Sequence, residues 1–105
     1  MPRHPSTATD FEYLPGDEAT GREGDLEHLA RRDISAQDVE QVFRNGPKWA
    51  RNTKGRRANW RMIGYNDGGR PLDIKVLWDE DRGTLRPITG MTADSAVRRK
   101  YLQKG

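Results

Sequence analysis

No cysteine occurs in the 105 residues, so the chain can form no disulfide, offers no thiolate nucleophile and has no cysteine zinc site. Histidine is scarce: His4 and His28 are the only two, far apart in sequence and without metal-ligand spacing. Hydrophobic residues make up only 32% of the chain, which points to a single domain with a thin core and argues against a large buried active-site cavity. No apolar run approaches the ~20 residues of a membrane span, and "MPRHPSTATD" lacks the apolar stretch of a signal peptide. A cytoplasmic protein without metal or cofactor is the expectation.

Acid is missing where base is densest. Between Arg44 and Arg61 the chain reads "RNGPKWARNTKGRRANWR", with seven Lys or Arg, two tryptophans and no Asp or Glu. Residues 1–34 hold four basic and eight acidic side chains, whereas residues 35–105 hold fifteen basic and eight acidic. A cationic surface of that kind attracts polyanions through counterion release, with RNA or DNA the usual partner. A charged edge strand that blocks edge-to-edge pairing is the plainer explanation. Against it, a surface that is merely soluble mixes both signs.

The pattern along the chain predicts an α+β fold. Residues 1–21, rich in Pro, Thr, Gly and acids, read as a mostly flexible segment with a short strand at Phe11 to Leu14. Leu26, Leu29 and Ala30 recur at helical spacing, so a first helix is expected from about Arg22 to Arg32. Ser35 and Asp38 have the spacing of a capping box, and Val39, Val42 and Phe43 fall on one face of a second helix that Gly46 and Pro47 end. The period then becomes alternating. "KWAR", "ANWRMIGY", "LDIKVLW" and "TLRPITGM" read as strands, with a hairpin turn at "NDGGRP" and Pro87 at an edge or a bulge. A last helix from about Thr92 carries Ala93, Ala96, Val97 and Tyr101 inward and Arg98, Arg99 and Lys100 near its C-terminal end. The expected architecture is two N-terminal helices on a three- to four-stranded antiparallel sheet, closed by a C-terminal helix.

Candidate functional residues follow from this layout. Arg51, Lys54, Arg56 and Arg57 sit on the first hairpin, and Lys75 and Arg86 lie on central strands among apolar neighbours. Trp60 reads as a core residue, whereas Trp49, beside Arg51, is placed to stack an unpaired base. His28, on the flank of an amphipathic helix, reads as a packed or capping residue rather than a general base.

The run "HLARRDISAQDVEQVF", then "ANWRMIGYNDGGRPLDIKVLW", then "LRPITGMTADSAVRRKY" resembles the BrnT family of bacterial toxins, small relatives of the RelE-like ribonucleases, over Asp25 to Tyr101. The resemblance rests on a helix opening at Ile34 and Ser35, a strand ending in Gly64 and a Gly-Arg turn at Gly69 and Arg70. An Arg-x-Ile-Thr strand at Arg86 to Thr89 and a basic helix ending in Arg-Arg-x-Tyr complete it. It implies a RelE-like fold over residues 22–105, metal-independent cleavage of mRNA, and neutralisation by a cognate DNA-binding antitoxin, with which it would form a heterotetramer.

Such cleavage uses the RNA's own 2′-hydroxyl, so the protein need only position the strand, assist proton movement and stabilise charge. Arg86 and Arg61 are then expected to stabilise the transition state, and Lys75 to move a proton or position a phosphate. Trp49, Arg51, Lys54, Arg56, Arg57, Arg98 and Arg99 are expected to hold the RNA. Met91 stands where the family has a second arginine, Val97 where it has an acid, and Arg32 and Asp33 where it has His-Gly. These departures favour the alternative, a non-catalytic module that binds nucleic acid or the antitoxin.

Overall fold

The computed structural model describes residues 3–53 and 57–103. Its best-formed helix, α2 at Ala36–Arg44, starts where the sequence signal is strongest. The Ser35 hydroxyl accepts the Asp38 N–H at 3.1 Å, and the Asp38 carboxylate accepts the Ser35 N–H at 2.9 Å. A cap of this kind contributes about 1 kcal/mol. Burial disfavours the Asp38 carboxylate, but hydrogen bonds from Ser35 and Asn66 outweigh it and hold its pKa below the ordinary value. Val39 and Val42 are fully buried. The helix ends at Gly46, whose φ of 72° is a conformation that glycine adopts without strain, and Pro47 leads into the sheet.

The first helix, α1 at Asp25–Ala30, is shorter than its sequence pattern predicts. Only Leu29 of its apolar residues reaches the core, while Leu26 is 45% exposed.

The sheet corrects the expected architecture. It has five strands in the order β1-β5-β4-β3-β2: β1 at Asp10–Phe11, β2 at Lys48–Arg51, β3 at Trp60–Tyr65, β4 at Pro71–Asp79 and β5 at Thr84–Thr92. It is mixed, because β1 runs parallel to β5 while the other pairs are antiparallel. The helices therefore lie between the first and second strands rather than ahead of a three- to four-stranded antiparallel sheet. The cause is the N-terminal segment. Thr9 and Asp10 donate to Gly83 O and Glu12 donates to Leu85 O, docking the chain along the outer side of β5. Phe11 anchors it, edge-on to Phe43 at 5.3 Å.

Alternation sorts the two faces. Met62, Leu72, Ile74, Val76 and Leu85 are fully buried and form one core with Leu29 and Ile34 of the α1 region and with Val39 and Val42 of α2. Each such burial stabilises the fold by about 1.5–3 kcal/mol. Pairing Arg61 with Lys75, Lys75 with Thr89 and Asp73 with Met91 puts these five residues on the opposite face. Pro87, which lacks an N–H, lies at an irregularity where Val76 pairs with Pro87 but Lys75 pairs with Thr89, leaving Ile88 as the extra residue of a bulge. After β5, Asp94 caps a single turn, α3 at Ser95–Val97, and a wider turn at Arg98–Leu102 follows in contact with β3. Ala93 is buried there, whereas Ala96 is exposed.

Candidate functional site

Three cations were expected to act together, and the structure keeps Arg61 and Lys75 in one cleft but takes Arg86 out of it. Arg86 is buried, at 9% exposure. Its Nε donates to Asp25 Oδ2 at 2.8 Å and its Nη2 to Asp25 Oδ1 at 3.1 Å. Asp25 also accepts the Leu14 N–H at 2.9 Å. Burial disfavours the Asp25 carboxylate, but the bonds from Arg86 and Leu14 prevail and lower its pKa. Its hydrogen bond to Asp25 in turn raises the pKa of Arg86. A guanidinium held in this way fastens α1 to β5 and cannot reach a transition state. The expected catalytic role of Arg86 therefore gives way to a structural one.

Arg61 keeps contact with solvent. Its Nη2 donates to Asp73 Oδ2 at 2.6 Å and its Nε to Asp73 Oδ1 at 3.2 Å, with 21% of the Arg61 side chain exposed. The hydrogen bond to Asp73 raises the Arg61 pKa. The guanidinium also lies 5.5 Å from the Tyr101 ring centroid, which ties the C-terminal turn to the sheet. Lys75 is half-buried next to this pair and has no carboxylate partner among the described residues.

Arg51, Arg61, Asp73, Lys75, Thr89 and Met91 line an open cleft of about 280 Å³ on the face away from α1 and α2. Thr53 closes it on the side of the first hairpin. The cleft presents two cations without carboxylate partners among the described residues, a neutralised guanidinium and hydroxyls. That set suits an oxyanion such as a phosphodiester. No histidine lines it, and the described residues contain no group of three His, Asp or Glu able to hold a metal ion.

The other expected binding residues divide. Arg51 is exposed, with its guanidinium 4.8 Å from the Trp60 ring centroid. Arg57, Arg98 and Arg99 are exposed. Lys54 and Arg56 lie outside the described residues. Trp49 does not present a free ring: it packs against the core, edge-on to Phe43 at 6.2 Å and to His4 at 5.8 Å. His28 faces Glu23 at 3.1 Å on the surface and does not line the cleft.

Sequence reasoning missed Asp25, Asp73 and Tyr101 as partners of the cations. Asp73 was legible in principle, being the acid that alternates with Lys75 on one strand face. Asp25 carries no such signal, because the pair it makes spans 61 positions of the chain. No protein-family model matches the chain, and neither curated proteins nor solved structures yield a match.

Proposed function

We propose that the protein binds single-stranded RNA along the open face of its sheet and acts in the cytoplasm as the toxin half of a toxin–antitoxin pair. The observation that carries this reading is the cleft where Lys75 and Arg51, without carboxylate partners among the described residues, flank the Arg61–Asp73 pair. Around it, Arg57 on the first hairpin and Arg98 and Arg99 on the terminal turn extend the positive surface. A strand of phosphates gains from each such cation and requires no deep pocket. The toxin assignment draws on the BrnT resemblance, which also supports a cognate DNA-binding antitoxin as partner, in a heterotetramer. No helix among the described residues is long and apolar enough to cross a membrane.

Metal-independent cleavage by the 2′-hydroxyl is the second reading, and a specific observation favours it. Lys75 remains free in the cleft to neutralise a pentacovalent phosphorus, with the Arg61 guanidinium beside it. Arg86 has no part in this version.

One experiment separates the readings. The protein is incubated with end-labelled RNA in EDTA, and the products are run on native and denaturing gels. Binding gives a retarded, uncut band, and cleavage gives fragments ending in 2′,3′-cyclic phosphate that disappear in Lys75→Ala. RNA that is neither retarded nor cut removes both.

A further inference from the structure

We propose that a second cleft, on the helix-side face of the sheet, stacks an unpaired nucleobase of the same RNA strand on Trp60, with Arg51 as the link between the two clefts. This rests on the RNA reading above and specifies how the strand continues beyond its phosphates.

The cleft has a volume of about 340 Å³ and is lined by Arg3, His4, Arg51, Trp60, Trp78 and Glu80. That is at the small end of the ~300–1,000 Å³ typical of ligand sites. Arg51 borders this cleft and the phosphate cleft alike. Trp60 pairs with Val76 and Trp78 with Leu85, so both indoles share the apolar face of the sheet. Trp60 is half-buried there and Trp78 is 7% exposed, and the N-terminal segment forms a wall. The Trp78 indole N–H donates to Arg3 O at 2.9 Å, and the His4 ring stands edge-on to Trp60 at 5.2 Å.

Three features favour a base over another occupant. First, a flat group already lies on the Trp60 ring, namely the Arg51 guanidinium at 4.8 Å. Cation–π contact at an exposed site is weaker than base–indole stacking, so a base can take that place once Arg51 turns to the adjoining phosphate. Second, Glu80 on the rim repels a phosphate, which directs the backbone to the Arg51 side and the base inward. Third, the Asn59 amide is spent on the Trp78 backbone, accepting the main-chain N–H at 2.8 Å and donating to the carbonyl at 3.2 Å. The Trp78 backbone is thereby fixed, and the bond from its indole to Arg3 O holds that wall of the cleft in place.

The test compares a labelled oligoribonucleotide with an abasic oligomer of equal length and charge. Stacking predicts about tenfold tighter binding of the oligomer that carries bases. In wild-type protein, NMR should show Trp60 ring-proton shifts with adenosine monophosphate that ribose 5-phosphate does not produce. Trp60→Leu should erase the preference and leave abasic binding unchanged, and Trp60→Phe, which keeps a ring in this half-buried position, should retain part of it. Equal binding of both oligomers by wild type, without nucleotide-specific shifts, overturns the inference while the phosphate cleft stands. Binding of neither oligomer overturns the inference and the RNA reading together.

Discussion

The buried guanidinium of Arg86 and the half-buried Lys75 lie on neighbouring strands, and the presence or absence of a carboxylate partner among the described residues decides their roles. Asp25 takes both charge and hydrogen-bonding capacity from Arg86, so removing that carboxylate leaves a buried cation uncompensated. Asp25→Asn should cost about 3 kcal/mol or more, measured by urea denaturation, while the folded fraction still binds RNA. The pH dependence has a definite sign. Asp25 has a folded-state pKa below its ordinary value, so its contribution is complete above the unfolded carboxylate range, near pH 4, and is lost as pH falls through the lower folded value. Wild-type stability should therefore fall on acidification in that region, and Asp25→Asn should flatten this part of the profile. A flat wild-type profile, or a mutant cost under 1 kcal/mol, would contradict the structural role. From sequence, Arg61, Lys75 and Arg86 look alike because alternation tells which face a side chain occupies and not which carboxylate meets it. Only Asp73, placed two residues from Lys75 on the same strand face, could have been read as a partner.

Secondary structure was legible where a period or a cap repeats its signal. Ser35 with Asp38, Gly46 with Pro47, and the alternation from Leu72 to Trp78 all appear in the fold as read. The short strand read at Phe11 to Leu14 overlaps the observed one only at Phe11, and the two-residue strand at Asp10–Phe11 offers little periodic signal. It exists because the turn at Gly83 and strand β5 present carbonyls to the Thr9, Asp10 and Glu12 N–H groups. Its parallel pairing is a tertiary event, and the five-stranded mixed sheet follows from it. Close approach of helix to sheet is similarly invisible in sequence. At Gly64 an added Cβ would lie 3.1 Å from the Pro47 Cβ and 3.3 Å from a Val42 methyl. Gly64→Val should cost about 1–3 kcal/mol by pushing α2 from β3, seen as a lower urea midpoint at unchanged slope. Gly68→Ala is the control. Its nearest neighbour, the Asn66 side-chain oxygen, is 3.5 Å away, so a change within about 0.5 kcal/mol is expected.

Across the whole molecule, folding turns a linear charge imbalance into a spatial one. Three of the eight acids in residues 1–34 meet particular cations: Glu12 meets Arg82 at 3.0 Å, Glu23 meets Arg31 at 2.7 Å, and Asp25 meets Arg86. The two exposed pairs add little stability, but they remove acids from competition with a ligand. Arg51 and Lys75 in the cleft, and exposed Arg57, Arg98 and Arg99, are left without carboxylate partners among the described residues. Composition alone raised the expectation of a polyanion partner, whereas the face proposed to bind it depends on which cations folding neutralises. The most direct test is fluorescence-anisotropy titration of a short single-stranded RNA across a series of salt concentrations, with wild type and Arg51→Ala/Lys75→Ala. Affinity should fall steeply with salt for wild type, and the double variant should lower the log–log slope by about 1.4, near 0.7 per lost phosphate contact. Absence of binding at low salt, or an unchanged slope in the double variant, would contradict the account.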